Sequence, residues 1–156
     1  MDNALKGAAR VLEAEYRLPF LAHAPLEPTN ATASVTPERC TVWLPTQAPG
    51  LLADLLAERL GLKPEQVVVQ PTLVGGSFGR RREPDVGLEA ALIARQVGRP
   101  VQVLWTREED FRHDLFRPAA VAVVQVALDR DGRLTGWRHR LVAPSVLART
   151  APDQVK

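Results

Sequence analysis

Alternation of apolar and polar positions, together with short runs rich in Val, predicts most of this chain's strands. Strands of this kind are bounded by turns that contain Pro, Gly or Asp. The predicted strands cover residues 9–18, 31–36, 40–44, 67–69, 100–105, 119–128 and 133–143. The turns at 37–39 and 129–132 are short enough to join antiparallel hairpins.

Two other segments change to the helical period. Residues 48–61 carry leucines at helical spacing, with Pro49 near the start and Gly61 at the end. These leucines are Leu51, Leu52, Leu55, Leu56 and Leu60. Residues 84–97 form the second predicted helix, which ends at Gly98. Its expected apolar face consists of Val86, Ala90, Ile93 and Val97.

The order of these elements is β, ββ, α, β, α, β, ββ. Strands outnumber helices, and some helices connect successive strands, so we expect an α+β fold. The predicted architecture is a two-layer sandwich, a mixed β-sheet with two main helices on one face. Residues 19–30 contain too many prolines for a long helix. Residues 106–117 are charged, which indicates an irregular surface segment or a short turn of helix.

Composition and charge exclude several classes of protein. The chain has 156 residues, of which 46% are apolar and 24% are charged, so neither extreme that marks disorder is present. A net charge of +2 argues against a general nucleic-acid binder. One cysteine, Cys40, excludes a disulfide framework and a multi-cysteine metal site. We find no apolar run long enough to span a membrane and no signal peptide.

The sequence Gly75-Gly76-Ser77-Phe78-Gly79 follows a Val-rich strand and precedes a helix, with Arg80-Arg81-Arg82 directly after it. Glycines allow a backbone to approach an anion closely, which predicts an anion or pyrophosphate contact. The alternative is a tight strand–helix turn followed by a solvated arginine run. The spacing matches neither a P-loop nor the dinucleotide-binding fingerprint.

Four further features are candidates for chemistry or for structural roles. Gln47 ends a strand and could donate to a ligand oxygen or serve in a turn. His23 and Glu27 could be a catalytic pair or a brace for an irregular loop. Ser77 has no convincing catalytic partner, so a hydrolase nucleophile is disfavoured. The acidic residues Glu108, Glu109, Asp110 and Asp114 are expected to form a solvated surface.

Several segments, in order, resemble one known family over residues 9–147. They are EAEY, LAHAPLEPTNATA, VWLPTQAP, GGSFGRR, GRPVQVLWTREED and FRPA. The resemblance is to the molybdopterin-binding large subunit of the xanthine dehydrogenase/aldehyde oxidase family. Its isoquinoline 1-oxidoreductase beta-subunit branch is the most similar.

The resemblance implies a molybdenum–molybdopterin cofactor, expected in its cytosine dinucleotide form. The implied cofactor-binding residues are Gln47, Gly75, Gly76, Ser77, Phe78, Gly79 and Arg80. Gln47 would hydrogen-bond an oxo ligand of the metal, and the glycine loop would lie against the metal and its dithiolene. No protein side chain would coordinate the metal, because the pterin supplies sulfur. Arg82 stands where many xanthine-type members carry Glu, which makes a purine substrate doubtful.

The resemblance also implies an organisation and partners. Residues 1–18 would be a lead-in or the end strand of a preceding small domain, 19–147 part of the first molybdenum-cofactor-binding domain, and 148–156 an unstructured or truncated tail. No catalytic residue is expected in this chain, since the general-base Glu would lie beyond Lys156. Expected partners are the rest of the large subunit, a two-cluster iron–sulfur subunit, and an aldehyde or N-heterocycle hydroxylated with oxygen from water.

The chain alone is therefore expected to be inactive. Two alternatives stay open at this point. One is a non-catalytic binding or subunit-docking module. The other is a phosphate- or nucleotide-binding domain that uses the sequence GGSFGRR.

Overall fold

The structure, a computed structural model, describes residues 2–150. These residues form two compact units, each described separately below. The central unit consists of residues 22–115, and the terminal unit consists of residues 2–21 and 116–150.

The strands and the two longest helices lie close to the positions that the sequence pattern predicts, whereas the short helices near the two ends of the described chain were not predicted. The strands are β1 (Arg10–Leu18), β2 (Asn30–Val35), β3 (Cys40–Leu44), β4 (Val67–Pro71), β5 (Val101–Leu104), β6 (Ala120–Leu128) and β7 (Leu134–Val142). The α-helices are α1 (Asp2–Lys6), α2 (Pro49–Leu60), α3 (Asp85–Val97), α4 (Arg107–Arg112) and α5 (Val146–Thr150). Single turns of 3₁₀-helix cover Pro64–Gln66 and Arg80–Arg82.

The central unit is the predicted two-layer sandwich. Its sheet has the strand order β4-β3-β2-β5, with β3 and β4 parallel and the other pairs antiparallel, so the sheet is mixed. Helices α2 and α3 pack on this sheet and on each other. The core includes Ala31, Ala33, Cys40, Val42, Leu44, Leu52 and Leu56. This confirms the α+β fold and the mixed sheet with two main helices.

The buried face of α3 differs from the predicted one. The buried residues of α3 are Val86, Gly87, Ala90, Ala91 and Ala94. Ile93 and Val97 are instead partly exposed, at 38% and 47% of their surface. The reason is close approach: a Cβ added at Gly87 would lie only 2.7 Å from Leu52 Cδ2. Small residues, rather than the largest apolar ones, therefore face the core.

The terminal unit holds a second sheet, where the sequence predicted one sheet for the whole chain. Its order is β1-β6-β7, and both pairs are antiparallel. The predicted hairpin between β6 and β7 is confirmed, and Asp129 Oδ1 stabilises its turn by accepting from the N–H groups of Asp131 and Arg133. The sequence did not identify the separate sheet because β1 pairs with a strand far along the chain.

The predicted domain boundaries stay predictions. Residues 10–18 pair with β6 in the terminal unit. Of the predicted tail, residues 148–150 belong to α5 (Val146–Thr150), and residues 151–156 lie outside the described part of the chain.

Candidate functional site

Two loops of the central unit lie side by side and form the base of the candidate site. They are the glycine loop, residues 75–79, and the proline loop, residues 22–28. The N–H of Glu27 donates to the carbonyl of Gly75 at 3.0 Å, and the N–H of Gly75 donates to Glu27 Oε2 at 2.8 Å. A Cβ at Gly75 would lie 2.6 Å from Glu27 Cβ. Glycine is therefore required there by close approach of the two loops.

The glycine loop also contains residues with positive φ. Gly76 and Gly79 have φ of 97° and 107°, values that favour glycine, while Phe78 has φ of 55°. A non-glycine residue in this region costs of order 1–3 kcal/mol and is held by the surrounding structure. The Phe78 side chain is 65% exposed. The loop thus presents an aromatic ring from a strained backbone.

Gln47 lies beside the glycine loop and is hydrogen-bonded to it. Its main-chain N–H donates to the carbonyl of Arg81 at 2.9 Å. The hydroxyl of Ser77 donates to Gln47 Oε1. Ser77 Oγ in turn accepts from the N–H groups of Arg81 and Gly79, at 3.1 and 3.4 Å. The sequence suggested Gln47 and Ser77 separately, and the fold brings them into contact.

Arg80 is buried, with only 1% of its surface exposed. Its guanidinium donates two hydrogen bonds to Asp85, at 2.9 and 2.7 Å, and its Nε lies 2.9 Å from Asp114 Oδ1. Burial by itself lowers the pKa of Arg80, but the hydrogen bonds and charge of Asp85, with Asp114 and Asp110, outweigh it and raise the pKa. The Arg80 side chain makes these buried contacts with Asp85 and Asp114. They do not favour the predicted contact between this side chain and the cofactor.

Arg81 is also buried and joins the same two loops. Its Nη2 donates to the carbonyls of Glu27 and Pro28, at 2.6 and 3.1 Å. Burial lowers the pKa of Arg81, and the charge of Glu27 opposes that shift. The alternative of a solvated arginine run is therefore wrong for Arg80 and Arg81, and only Arg82 is exposed.

The predicted solvated acidic surface is wrong for two of its four members. Asp110 and Asp114 are buried, whereas Glu108 and Glu109 are exposed. Asp110 accepts from Thr29 Oγ1 at 2.6 Å and from Arg107 at 3.0 Å. These charges are tolerated in the interior because each is paired and hydrogen-bonded.

His23 and Glu27 have separate partners. His23 Nδ1 lies 2.9 Å from Asp114 Oδ2, which also accepts from the His23 main-chain N–H at 2.6 Å. Glu27 binds Gly75 and also accepts from Asn30 Nδ2 at 3.1 Å. These contacts favour the interpretation of both residues as loop braces over that of a catalytic pair.

The residues that the glycine loop and Gln47 present to solvent are neutral. Gln47, Gly75, Phe78 and Gly79 are exposed, and Gly76 and Ser77 are half-buried. Over residues 2–150 the structure places no group of three or more His, Cys, Asp and Glu side chains where they could hold a metal ion. A side-chain amide beside main-chain groups suits a ligand that carries hydrogen-bond acceptors. It therefore fits a cofactor that brings its own metal ligands.

The family model that matches this chain is described as a molybdopterin cofactor-binding domain, and it covers residues 1–147. The chain belongs to this family, which confirms the resemblance to the molybdenum hydroxylases of the xanthine dehydrogenase/aldehyde oxidase family. Its cofactor class is accordingly molybdopterin.

Individual relatives agree with this assignment. The chain is 36% identical over 146 residues to "Isoquinoline 1-oxidoreductase subunit beta" of Brevundimonas diminuta, covering 92% of this chain and 19% of that protein. It is 33% identical over 144 residues to "Membrane-bound aldehyde dehydrogenase [pyrroloquinoline-quinone]" of Gluconacetobacter polyoxogenes, again covering 92% and 19%. The chain thus spans about a fifth of the length of these relatives.

A solved structure supports the fold. The aldehyde oxidoreductase from Desulfovibrio gigas superposes with a TM-score of 0.77 at 23% identity, covering 90% of this chain and 16% of that one. Within residues 2–150, no helix is both long and apolar enough to cross a membrane.

Proposed function

We propose that this chain holds the molybdenum cofactor of a molybdenum hydroxylase at the edge formed by Gln47 and the glycine loop. The observation that carries the proposal is the contact between Gln47 and Ser77, which sets an oriented carboxamide beside a loop of exposed main chain. Family membership supplies the class of cofactor. When bound, the cofactor supplies the redox centre for hydroxylation of an aldehyde or N-heterocycle with oxygen from water.

In this proposal, the residues of this chain bind the cofactor and orient it. Gln47 donates from Nε2 to an oxygen ligand, since its Oε1 is already occupied by Ser77. The Cβ positions of Gly75, Gly76 and Gly79 face Glu27, Pro25 and His23 of the proline loop, so these glycines set the course of the main chain that the cofactor would contact. Phe78 presents an exposed ring on the same loop, which would be available to pack against the cofactor.

The buried ionic cluster behind the loops keeps them in place. Arg80 and Arg81 connect the glycine loop to Asp85, Asp114 and the carbonyls of the proline loop. A site held in this way loses little conformational freedom when the cofactor binds. The same burial argues against the phosphate- or nucleotide-binding alternative, because it removes two of the three positive charges on which that alternative depends.

The remaining parts of the proposal concern the complete enzyme. The cofactor is the cytosine dinucleotide form, and the rest of the large subunit supplies the general-base Glu. A two-cluster iron–sulfur subunit accepts the electrons, and this chain alone is inactive. An N-heterocycle or an aldehyde is the substrate, because the names of the two relatives include both classes.

Molybdenum content tests the proposal directly. The 156-residue chain is produced in a host that makes the cofactor, and molybdenum per protein is measured for the wild type and for Gln47→Ala. We expect the Gln47→Ala variant to retain roughly tenfold less molybdenum, since one charge-assisted hydrogen bond contributes about 1.5 kcal/mol.

The matched control is Gln102→Ala, which removes an exposed glutamine of β5 outside the site. It should retain as much molybdenum as the wild type. A wild-type chain without molybdenum, or equal losses in the two variants, would contradict the proposed site.

A further inference from the structure

We propose that Ser77 is a positioning residue that orients the Gln47 carboxamide, so that the NH₂ group and not the oxygen faces the ligand. The proposal deepens the proposed function, because it states what kind of atom the site selects. The orientation itself is a property of the chain without any ligand.

The hydrogen bonds of the Ser77 hydroxyl leave it a single possible direction. A serine hydroxyl has one proton to donate and two lone pairs with which to accept. Both lone pairs of Ser77 Oγ are directed to main-chain donors, the N–H groups of Arg81 at 3.1 Å and Gly79 at 3.4 Å. The proton therefore goes to Gln47, and an acceptor must lie there, which identifies that atom as Oε1.

The contacts form a closed ring through a buried residue. The N–H of Arg81 donates to Ser77 Oγ, Ser77 Oγ–H donates to Gln47 Oε1, and the N–H of Gln47 donates to the carbonyl of Arg81 at 2.9 Å. Arg81 is 3% exposed, and its guanidinium is held by two carbonyls of the proline loop. The orientation of the Gln47 amide is thus fixed by contacts that lead to the buried interior of the central unit.

The ring decides which ligands the amide can recognise. The terminal torsion of glutamine has a broad, roughly two-fold preference, so an unrestrained carboxamide presents its oxygen and its nitrogen about equally often. With Oε1 occupied by Ser77, Nε2 is the carboxamide atom left to face a ligand. The site accordingly selects a ligand atom that accepts hydrogen bonds, such as an oxo or other anionic oxygen, and disfavours a cation.

Side-chain nuclear relaxation of the full 156-residue chain tests this without any activity measurement. The order parameter of the Gln47 NH₂ group is compared with that of Gln102, an exposed glutamine on β5. We expect Gln47 to be clearly more ordered than Gln102 in the wild type. In Ser77→Ala the Gln47 value should fall to that of Gln102, and Ser77→Thr, which keeps the hydroxyl, should restore it.

The comparison of Gln47 with Gln102 in the wild type needs no variant, so it tests the inference even if a variant does not fold. Equal order of Gln47 and Gln102 in the wild type would overturn the inference, as would an ordered Gln47 in Ser77→Ala or a disordered one in Ser77→Thr. In molybdenum-loaded chain, Ser77→Ala should shorten the half-time of molybdenum loss on dialysis by roughly 3- to 10-fold, and Ser77→Thr should not. A chain that binds no molybdenum but shows the expected order parameters would overturn the proposed function and uphold the role of Ser77.

Discussion

The central and terminal units bury their apolar residues to very different extents. Every buried hydrophobic residue in the described part of the chain lies in the central unit, except Ala127 of β6. The central unit therefore has a closed core between its sheet and its helices. The terminal sheet is instead held mainly by its strand pairing, as three antiparallel strands with large apolar residues left exposed.

The register of the terminal sheet shows how its two faces differ. Leu12 pairs with Val126, which pairs with Trp137, and the same alternation places Tyr16 beside Ala122 and Leu141. The opposite face carries the polar row Glu13, Gln125 and Arg138. Leu12, Tyr16, Trp137 and Leu141 are each more than 40% exposed. The sheet is amphipathic, with its apolar face open to solvent in this chain.

The rigidity of the candidate site originates in the central unit. Gln47, the glycine loop and the arginines behind it all belong to the central unit, whose core is closed. Changes in that unit should alter the free energy of unfolding and the site together, whereas matched changes in the terminal sheet should alter neither by much. Three experiments test this contrast, in order of decreasing expected effect.

Replacement of Arg80 by Met should have the largest effect. It removes a buried guanidinium and leaves Asp114 and Asp85 without their cation, which typically costs about 3–5 kcal/mol. Urea unfolding of the central unit, followed by alkylation of the buried Cys40 thiol, measures the loss. The control is Arg82→Met at the exposed neighbour, for which a change within about 0.5 kcal/mol is expected. Equal effects would show that the ionic cluster is not what stabilises this unit.

Truncation of matched leucines compares the two units directly. Leu56→Ala removes a fully buried side chain of α2 and should lower the free energy of unfolding by about 2–5 kcal/mol. Leu141→Ala removes a side chain that is 60% exposed on β7 and should change it by less than about 1 kcal/mol. Urea unfolding followed by far-ultraviolet circular dichroism, which reports the secondary structure of both units, serves for both. A larger loss in Leu141→Ala would contradict the contrast between the units.

The third and smallest effect should be a dependence of the free energy of unfolding on pH, caused by the buried Cys40 thiol. Burial raises the pKa of the Cys40 thiol from 9.0 to about 11. The folded chain therefore keeps its proton to higher pH than the unfolded chain, so stability is fully present below pH 9.0 and declines towards pH 11. At pH 10 the expected loss is about 1.4 kcal/mol.

Denaturant unfolding between pH 8 and 11 measures this decline, with Cys40→Ala as the control. Because the variant has no thiol to titrate, its curve should lack this part of the slope. Identical slopes for the two proteins would mean that the thiol is not shielded as the structure places it.

Most of the secondary structure followed from local pattern, because helix and strand periods and their Pro and Gly boundaries are properties of neighbouring residues. The hairpins, the two long helices and the glycine loop were predicted for that reason, and ordered motifs indicated the family. The face of α3 was not predicted correctly, since Gly87 faces the core through contact with Leu52, a residue distant in sequence.

The contacts that build the candidate site could not be predicted from local sequence pattern, because they join residues that are distant along the chain. Local pattern suggested Gln47 and the glycine loop as candidates, but it could not bring Ser77 to the Gln47 amide or set both against Arg81. It also predicted a solvated acidic surface where Asp110 and Asp114 are buried, and its alternative of a solvated arginine run is wrong for the buried Arg80. Whether a charge is exposed depends on which distant partners neutralise it, and those pairings exist only once the chain has folded.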